Sequence, residues 1–355
     1  MSKIVYYLGA GASYGEERIV YPTAPNEVGE IEIKSGLPIV SEIVGRLAIF
    51  YEYIKNIQTN VKNNIIRIWG ISFSEVTRAL NDSKSELLDD IAWLQNETIK
   101  HATIDTFAKK LYLSGNIRGF NRLEKVLCTY FVWEQIDHPG DQRYDTFLAN
   151  VLTEDELQLP LEISVVSWNY DSQFEIAYSN YTNKKLYVYD KYSKVESLPN
   201  CGRIFKVNGS ASFRSIPTPM EIKAETLDYG VSLLWYYHMC NTQTDIYNFE
   251  QIEPRLSFAW EKVEENSNMM EAVKQTVQDA RALVVIGYSF PFFNRLVDRQ
   301  IFRFMSRLHT IYIQDPYADD IKQNIQNVLS DIHKANNINI IPKTKCGQFF
   351  LPPEL

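Results

Sequence analysis

No two of the four cysteines, Cys128, Cys201, Cys240 and Cys346, stand as close as a C-x-x-C pair, which excludes a zinc ribbon built from paired thiolates. The five histidines have no metal-ligand spacing either, so no metal is expected and the thiols are expected to be reduced in a cytosolic setting. No apolar run approaches the roughly 20 residues that a bilayer-spanning helix needs. The chain starts on a strand-like segment and not on a signal peptide, so a soluble, cytoplasmic protein without a membrane partner is expected. A surplus of positive charge is missing too. Lys plus Arg number 36 against 44 Asp plus Glu, a net charge of −8, which argues against a surface that coats DNA.

What is present is a chain of 355 residues, 45% hydrophobic and 13% aromatic. That is enough for a sizeable core in one large or two ordinary domains, and too apolar for a disordered chain. The organising stretch lies at the start. Ile4 to Leu8 form a short β-prone run that stops at Gly9, and Gly9, Gly11 and Ser13 then open a predicted helix. Such a junction is expected to leave backbone N–H groups pointing outward at the positive end of the helix, where a phosphate would bind. Glycine lets the backbone turn tightly and an anion approach. The third glycine of the dinucleotide fingerprint is absent: Tyr14 holds that place, with Gly15 one residue on.

Residues 16–36 read as a long irregular segment, ending in Ser35-Gly36-Leu37-Pro38, with Pro38 in the first turn of a helix over 39–57. Ile43, Leu47, Phe50 and Ile54 form its apolar stripe. From 58 to 150 the periodicity is helical throughout, with Leu87, Leu88, Ile91 and Leu94 in one stripe and Leu123, Val126, Leu127 and Phe131 in another, and with Thr103 as a helix cap. His138-Pro139-Gly140 breaks it. Strand character returns at 163–167, 186–189, 204–207, 282–286 and 310–313, with helices between. The alternation predicts an α/β fold, a Rossmann-like doubly wound parallel sheet with an inserted helical module. Residues 1–38 and 160–345 would form the nucleotide-binding domain, 39–159 the insert, and 220–280 a mixed, partly helical part of the first.

In such sheets ligands sit at the carboxyl ends of the strands. Here those ends carry Gly9-Ala10-Gly11-Ala12-Ser13, Ser167-Trp168-Asn169-Tyr170-Asp171, Asn208-Gly209-Ser210, Gly287-Tyr288-Ser289 and Gln314-Asp315. Any one set could cap a turn. Five sets of small or polar residues at five such ends point to a binding crevice. The aromatic run Leu234 to His238 reads as core, and Arg295 and Arg299, one helical turn apart, either reach a phosphate or face solvent.

The set, in this order, resembles the SIR2 (sirtuin) family, in its divergent bacterial branch of anti-phage defence proteins. Gly9 to Ser13 match its G-A-G-x-S motif, Gly36-Leu37-Pro38 its G-[IL]-P, Ser167 to Asp171 its T-Q-N-x-D with the asparagine and aspartate kept, and Gly287 to Ser289 its G-[TS]-S. Residues 104–108 and 286–299 also resemble that branch. The resemblance implies NAD+ as ligand, with Gly9, Ala10, Gly11, Ser13, Pro38, Ser167, Gly287, Ser289, Gln314 and Asp315 around it and Asn169, Asp171 and Asn208 as the catalytic set. Two departures bear on chemistry. Without zinc-ribbon cysteines, protein deacetylation is not expected. The family's catalytic histidine is replaced by Asn208, whose amide can orient a hydroxyl but cannot act as a base. The expected activity is NAD+ glycohydrolysis, the alternative a silent NAD+- or ADP-ribose-binding subunit, regulatory or structural, in a defence complex. A homo-oligomer or a separate defence protein is the partner that the resemblance implies.

Overall fold

The computed structural model describes residues 3–15, 17–20, 31–34, 36–39, 41–59, 73–101, 103–137, 141–152, 157–184, 186, 188–190, 201–213, 229–241, 253–261, 267–329, 333–334 and 337–355. In chain order the elements are β1 (Ile4–Leu8), a 3-10 turn (Ala10–Ala12), β2 (Glu17–Val20), β3 (Ile31–Lys34), α1 (Ile43–Asn56), α2 (Phe73–Thr98), α3 (Ile104–Leu113), α4 (Ile117–Asp137) and α5 (Gln142–Val151). Then come β4 (Ile163–Ser167), α6 (Gln173–Thr182), β5 (Val188–Tyr189), β6 (Arg203–Lys206), β7 (Gly209–Phe213), α7 (Tyr229–Asn241), β8 (Pro254–Leu256) and α8 (Ser267–Val277). The chain closes with β9 (Ala282–Ile286), a second 3-10 turn (Phe292–Asn294), α9 (Arg295–Phe304), β10 (Thr310–Gln314), α10 (Ala318–Gln326) and β11 (Asn339–Lys343).

The chain divides into two compact units, one of residues 1–37, 138–209 and 257–355, the other of 38–137 and 210–256. The sequence reading set 39–159 apart as the helical insert. By contacts, 210–256 groups with 38–137, and α5 belongs with the sheet.

The first unit holds a seven-stranded sheet in the order β11-β10-β9-β1-β4-β6-β5. Every pairing in it is parallel. β1 lies at the centre, with β4, β6 and β5 to one side and β9, β10 and β11 to the other, so the winding reverses between β1 and β9. The five strands singled out for their polar ends are contiguous, and in register their last residues form one row: Gln314, Ile286, Leu8, Ser167 and Lys206.

Alternation along the strands supplies two cores. Val5 and Tyr7 join Val166, Leu283, Val285, Ile311 and Ile313 on one face, under Val273 and Val277 of α8, Val297, Ile301 and Phe302 of α9, and Ile321 and Ile325 of α10. Ile4, Tyr6 and Leu8 join Val165, Val284 and Ile286 on the other, under Tyr144, Phe147 and Leu148 of α5 and Phe174 and Ala177 of α6. A strand buried on both faces reads as a continuous apolar run, which is what Ile4–Leu8 and Ala282–Ile286 are. Each such residue contributes about 1.5–3 kcal/mol on burial.

In the second unit α1 buries Ile43, Leu47, Phe50 and Ile54. Phe50 packs on Trp133, with ring centroids 4.9 Å apart, beside a two-pronged Arg46–Glu134 ion pair at 2.8 and 2.6 Å. Leu234, Trp235 and Tyr237 of α7 are core, and Thr103 caps α3 by accepting the Thr106 N–H at 3.1 Å.

Several local expectations differ from what is found. Gly9 to Ser13 open a single 3-10 turn and no α-helix. The segment expected to be irregular carries the antiparallel pair β2 and β3. α1 begins at Ile43, and before it the Glu42 N–H donates to the Ile39 carbonyl at 2.9 Å, so Pro38 is outside the helix. β11 went unanticipated. His138-Pro139-Gly140 lies outside the described residues.

The sheet's centre rests on backbone approach. A Cβ at Gly9 would come within 2.6 Å of the Tyr288 Cα, and one at Gly11 within 2.7 Å of the Gly287 Cα. Gly287 has φ +60° and faces Gly11 and Ala12 with no room for a side chain. Gly287→Ala is therefore expected to cost more than about 2 kcal/mol, read as a lowered denaturation midpoint. Gly45→Ala, with nothing within 4 Å of the new Cβ in exposed helix, is expected to gain up to about 1 kcal/mol. An unchanged midpoint for Gly287→Ala would contradict the packing argument.

Candidate functional site

The site begins with the glycine loop. Gly9 N–H donates to the Ile286 carbonyl at 3.0 Å, Gly11 N–H to Gly287 at 3.0 Å, Ala12 N–H to Gly9 at 2.8 Å and Ser13 N–H to Ala10 at 3.1 Å. The outward-facing row of donors expected from the sequence is thus mostly used inside the protein. Among the described residues, only the Ala10 N–H of these five has no acceptor. The loop's carbonyls are held as well. Arg143 of α5 donates through Nη2 to Gly11 at 3.3 Å and Ala12 at 3.0 Å, while Nε and Nη2 pair with Asp141 Oδ2 at 2.9 and 2.5 Å and Nη1 donates to the Cys346 carbonyl at 3.3 Å. Both side chains are buried, an arrangement that is affordable only because the pair neutralises its charge and satisfies its hydrogens. Leu37 N–H closes the loop on the Ser13 carbonyl at 2.7 Å.

Ser13 is 1% exposed, and its hydroxyl is the junction of four side chains. It bonds Asp171 Oδ1 at 3.1 Å, Tyr144 Oη at 2.9 Å and Asn169 Nδ2 at 3.3 Å. An ionised carboxylate only accepts and an amide nitrogen only donates, so the directions follow. Ser13 donates to Asp171, and Asn169 and Tyr144 both donate to Ser13. Burial first, and then the Asp171 charge, pushes the Tyr144 phenol well above its ordinary range, which keeps it a donor.

Asp171 Oδ1 also accepts the Gln173 N–H at 3.0 Å, at the start of α6. Lys206, buried at the end of β6, donates to the Asp171 carbonyl and pairs with Glu175 at 3.3 Å. Asn169 N–H donates to Ser167 Oγ at 3.2 Å. Two acceptors therefore remain without a protein partner among the described residues, Asp171 Oδ2 and Asn169 Oδ1, together with one Asn169 amide hydrogen.

The other expected residues divide differently. Asn208 donates through Nδ2 to the Trp168 carbonyl at 2.8 Å, and its Oδ1 accepts the Ala259 N–H at 3.0 Å. Its amide is a strut between the loop after β4 and residues 257–259, with its oxygen bonded and one Nδ2 hydrogen left over. Gln314 spends Nε2 on the Lys345 and Gln348 carbonyls and Oε1 on the Phe350 N–H at 2.9 Å, so it ties down the C-terminal segment. Asp315 caps the next turn through the Tyr317 N–H at 2.8 Å, and partial burial raises its carboxyl. The Ser289 side chain is exposed, and its carbonyl accepts from Asn324 at 3.0 Å. Pro38 is half-buried at the start of the second unit.

Tyr144 and Arg143 were missed by sequence reasoning. They sit in a helix whose apolar stripe reads as ordinary packing, and nothing in their spacing marks them. Compared with known proteins, the chain matches no family model, and no curated protein matches it significantly. No group of three His, Cys, Asp or Glu suited to a metal occurs among the described residues, and no helix among them is long and apolar enough to cross a membrane.

The strut role makes a specific demand. Asn208→Ala leaves the Trp168 carbonyl and the Ala259 N–H unpaired, at about 1–3 kcal/mol for a buried group. The expected result is a lower melting temperature, with Asn208→Asp less disrupted than Asn208→Ala at low pH, where a protonated acid can still donate. A melting curve unaltered by Asn208→Ala would contradict the assignment.

Proposed function

We propose that the first unit binds NAD+ at the carboxyl ends of β1, β4 and β9 and hydrolyses the nicotinamide–ribose bond, as a SIR2-like anti-phage defence enzyme. The observation that carries this reading is the pairing of Asn169 and Asp171. Both are anchored on Ser13, each with an unused acceptor among the described residues, at the carboxyl ends of β1 and β4, one strand from the reversal between β1 and β9. Among the described residues the Ala10 N–H is the donor of Gly9 to Ser13 without an acceptor, and it is the one offered to a phosphate oxygen.

The chemistry is written with those groups. The bond between ribose C1′ and the nicotinamide nitrogen breaks, and its electron pair leaves with nicotinamide, which becomes neutral. The ribose cation that remains is stabilised by the Asp171 carboxylate. Water oriented by the Asn169 amide attacks C1′, and its proton passes to Asp171 or to solvent. The products are nicotinamide, ADP-ribose and a proton. Anchoring the amide and carboxylate on one hydroxyl reduces the reorganisation needed at the moment of reaction.

The second reading, a silent NAD+- or ADP-ribose-binding subunit, is favoured by Asn208, whose amide is engaged with backbone and cannot act as a base, so that Asp171 is the only titratable group of the expected catalytic set. Loss of a general base costs about 10²–10⁴ in rate. A homo-oligomer or a separate defence protein remains the proposed setting for either reading.

The test is nicotinamide release from NAD+, followed by chromatography with binding measured separately. Release that falls by about 10²-fold or more in Asn169→Ala, with melting temperature kept, is the expected result. Binding without release in the parent protein would favour the silent subunit. Neither binding nor release would end the NAD+ reading.

A further inference from the structure

One buried carboxylate has no part in that chemistry. Asp298 of α9 is 0% exposed and accepts the Tyr7 hydroxyl at 2.7 Å and the Tyr288 hydroxyl at 3.1 Å. Asn294 Nδ2 donates to Tyr288 Oη at 3.2 Å. The titratable groups that face Asp298 are Tyr7 from β1 and Tyr288 from the loop after β9, and no Lys, Arg or His among the described residues acts on it. Burying a carboxyl without a cation is expensive, whether it keeps its charge or holds a proton instead, and a sheet-to-helix contact that only needed filling would be served by an apolar residue.

What the two tyrosines lead to is the site. Tyr7 lies two residues before Gly9. Tyr288 follows Gly287 and backs directly on Gly9. Its ring stacks on Trp168, centroids 5.0 Å apart and planes 11° from parallel. Trp168 precedes Asn169, and its N–H is bonded to the Leu8 carbonyl at 2.9 Å. We propose that Asp298 is a positioning residue: by holding the hydroxyls of Tyr7 and Tyr288 it fixes the glycine loop and the Trp168–Asn169 backbone against each other. That this serves NAD+ hydrolysis rests on the function proposed above; the mechanical role does not.

The role has a pH signature. The ionised carboxylate accepts both hydroxyls. Once protonated, it keeps one full acceptor oxygen for which the two hydroxyls compete, at 2.7 and 3.3 Å from Oδ1, so the hold on one tyrosine weakens. Burial pushes Asp298 up to about 8 and both phenols above their ordinary range, so only the carboxyl titrates near neutrality. The grip on the loops therefore tightens as pH rises through about 8. Global stability moves the other way. The folded carboxyl holds its proton more tightly than the unfolded one, so its contribution is complete below the ordinary carboxylate range and is lost as pH rises towards about 8. Opposite trends in local order and global stability are not what inert packing would produce.

The experiment is hydrogen exchange on the ligand-free full chain between about pH 6.5 and about pH 9, corrected for intrinsic rates, with melting curves alongside. Protection of Gly9–Ser13 and Trp168–Asp171 is expected to rise about tenfold in the parent while the melting temperature falls. In Asp298→Asn both trends are expected to flatten. Tyr288→Phe, which keeps the ring and removes the hydroxyl, is expected to flatten the rise in protection, and it decides the matter if Asp298→Asn fails to fold. Equal pH dependence of protection in the parent and Tyr288→Phe would overturn the proposal. A pH step in exchange without any NAD+ binding would support the positioning role and count against the function alone.

Discussion

The contact on which the first unit depends is glycine backbone against glycine backbone, Gly9 and Gly11 on Gly287. Central strands β1 and β9 are neighbours in register from Ile4 to Leu8, and past their last residues the chains must diverge. Here they stay together for three more residues, because Gly9 and Gly11 donate to the Ile286 and Gly287 carbonyls at 3.0 Å each. Only a chain without side chains at all three places can come that close. The usual account of glycine in such a loop is that it lets an anion in. In this protein the glycines chiefly let one loop onto another, and of the five N–H groups from Gly9 to Ser13 only that of Ala10 has no acceptor among the described residues.

That closure decides what the neighbouring polar groups can do. A loop held by its own N–H groups, by Arg143 on its carbonyls and by Leu37 on Ser13 has little freedom left. Ser13 becomes a fixed point to which Asn169, Asp171 and Tyr144 are referred. Counting donors and acceptors then separates residues that look alike in the sequence. Asn169 and Asn208 are both asparagines at strand ends, both buried. One retains an acceptor and a hydrogen; the other has its oxygen bonded and one hydrogen committed to backbone on two different segments. Chemistry follows spare capacity, which is a property of the surroundings and not of the residue type.

This is also where legibility ended. The parallel sheet, its strands and the row of polar carboxyl ends could be read from residues 4–8, 163–167, 204–207, 282–286 and 310–313, because doubly buried strands are continuous apolar runs and the residues after them are small or polar. The apolar stripes of α1, α9 and α10 were equally plain. Tyr144, Arg143 and the roles of Asn208 and Gln314 were not, since each depends on partners more than 30 residues away in sequence. The missing helix after Gly9 has the same origin. A strand–glycine–small-residue pattern fits either a helix start or a 3-10 turn, and the choice was made by Gly287, Arg143 and Leu37, none of which is local.

The buried ions sharpen the distinction between support and function. Arg143 has Asp141 and three carbonyls, and Lys206 has Glu175 and the Asp171 carbonyl; both cations are matched, as a scaffold requires. Asp298 is not. A sequence selected for stability alone has no reason to keep beneath its central strand a carboxyl that no cation pairs with and that burial pushes up to about 8, when asparagine would bond both tyrosines without ever taking a charge. Places where a local rule is broken without compensation nearby are where function is to be sought. The break lies one residue layer below the loops that carry Asn169 and the glycines, and the tyrosines are the path between them.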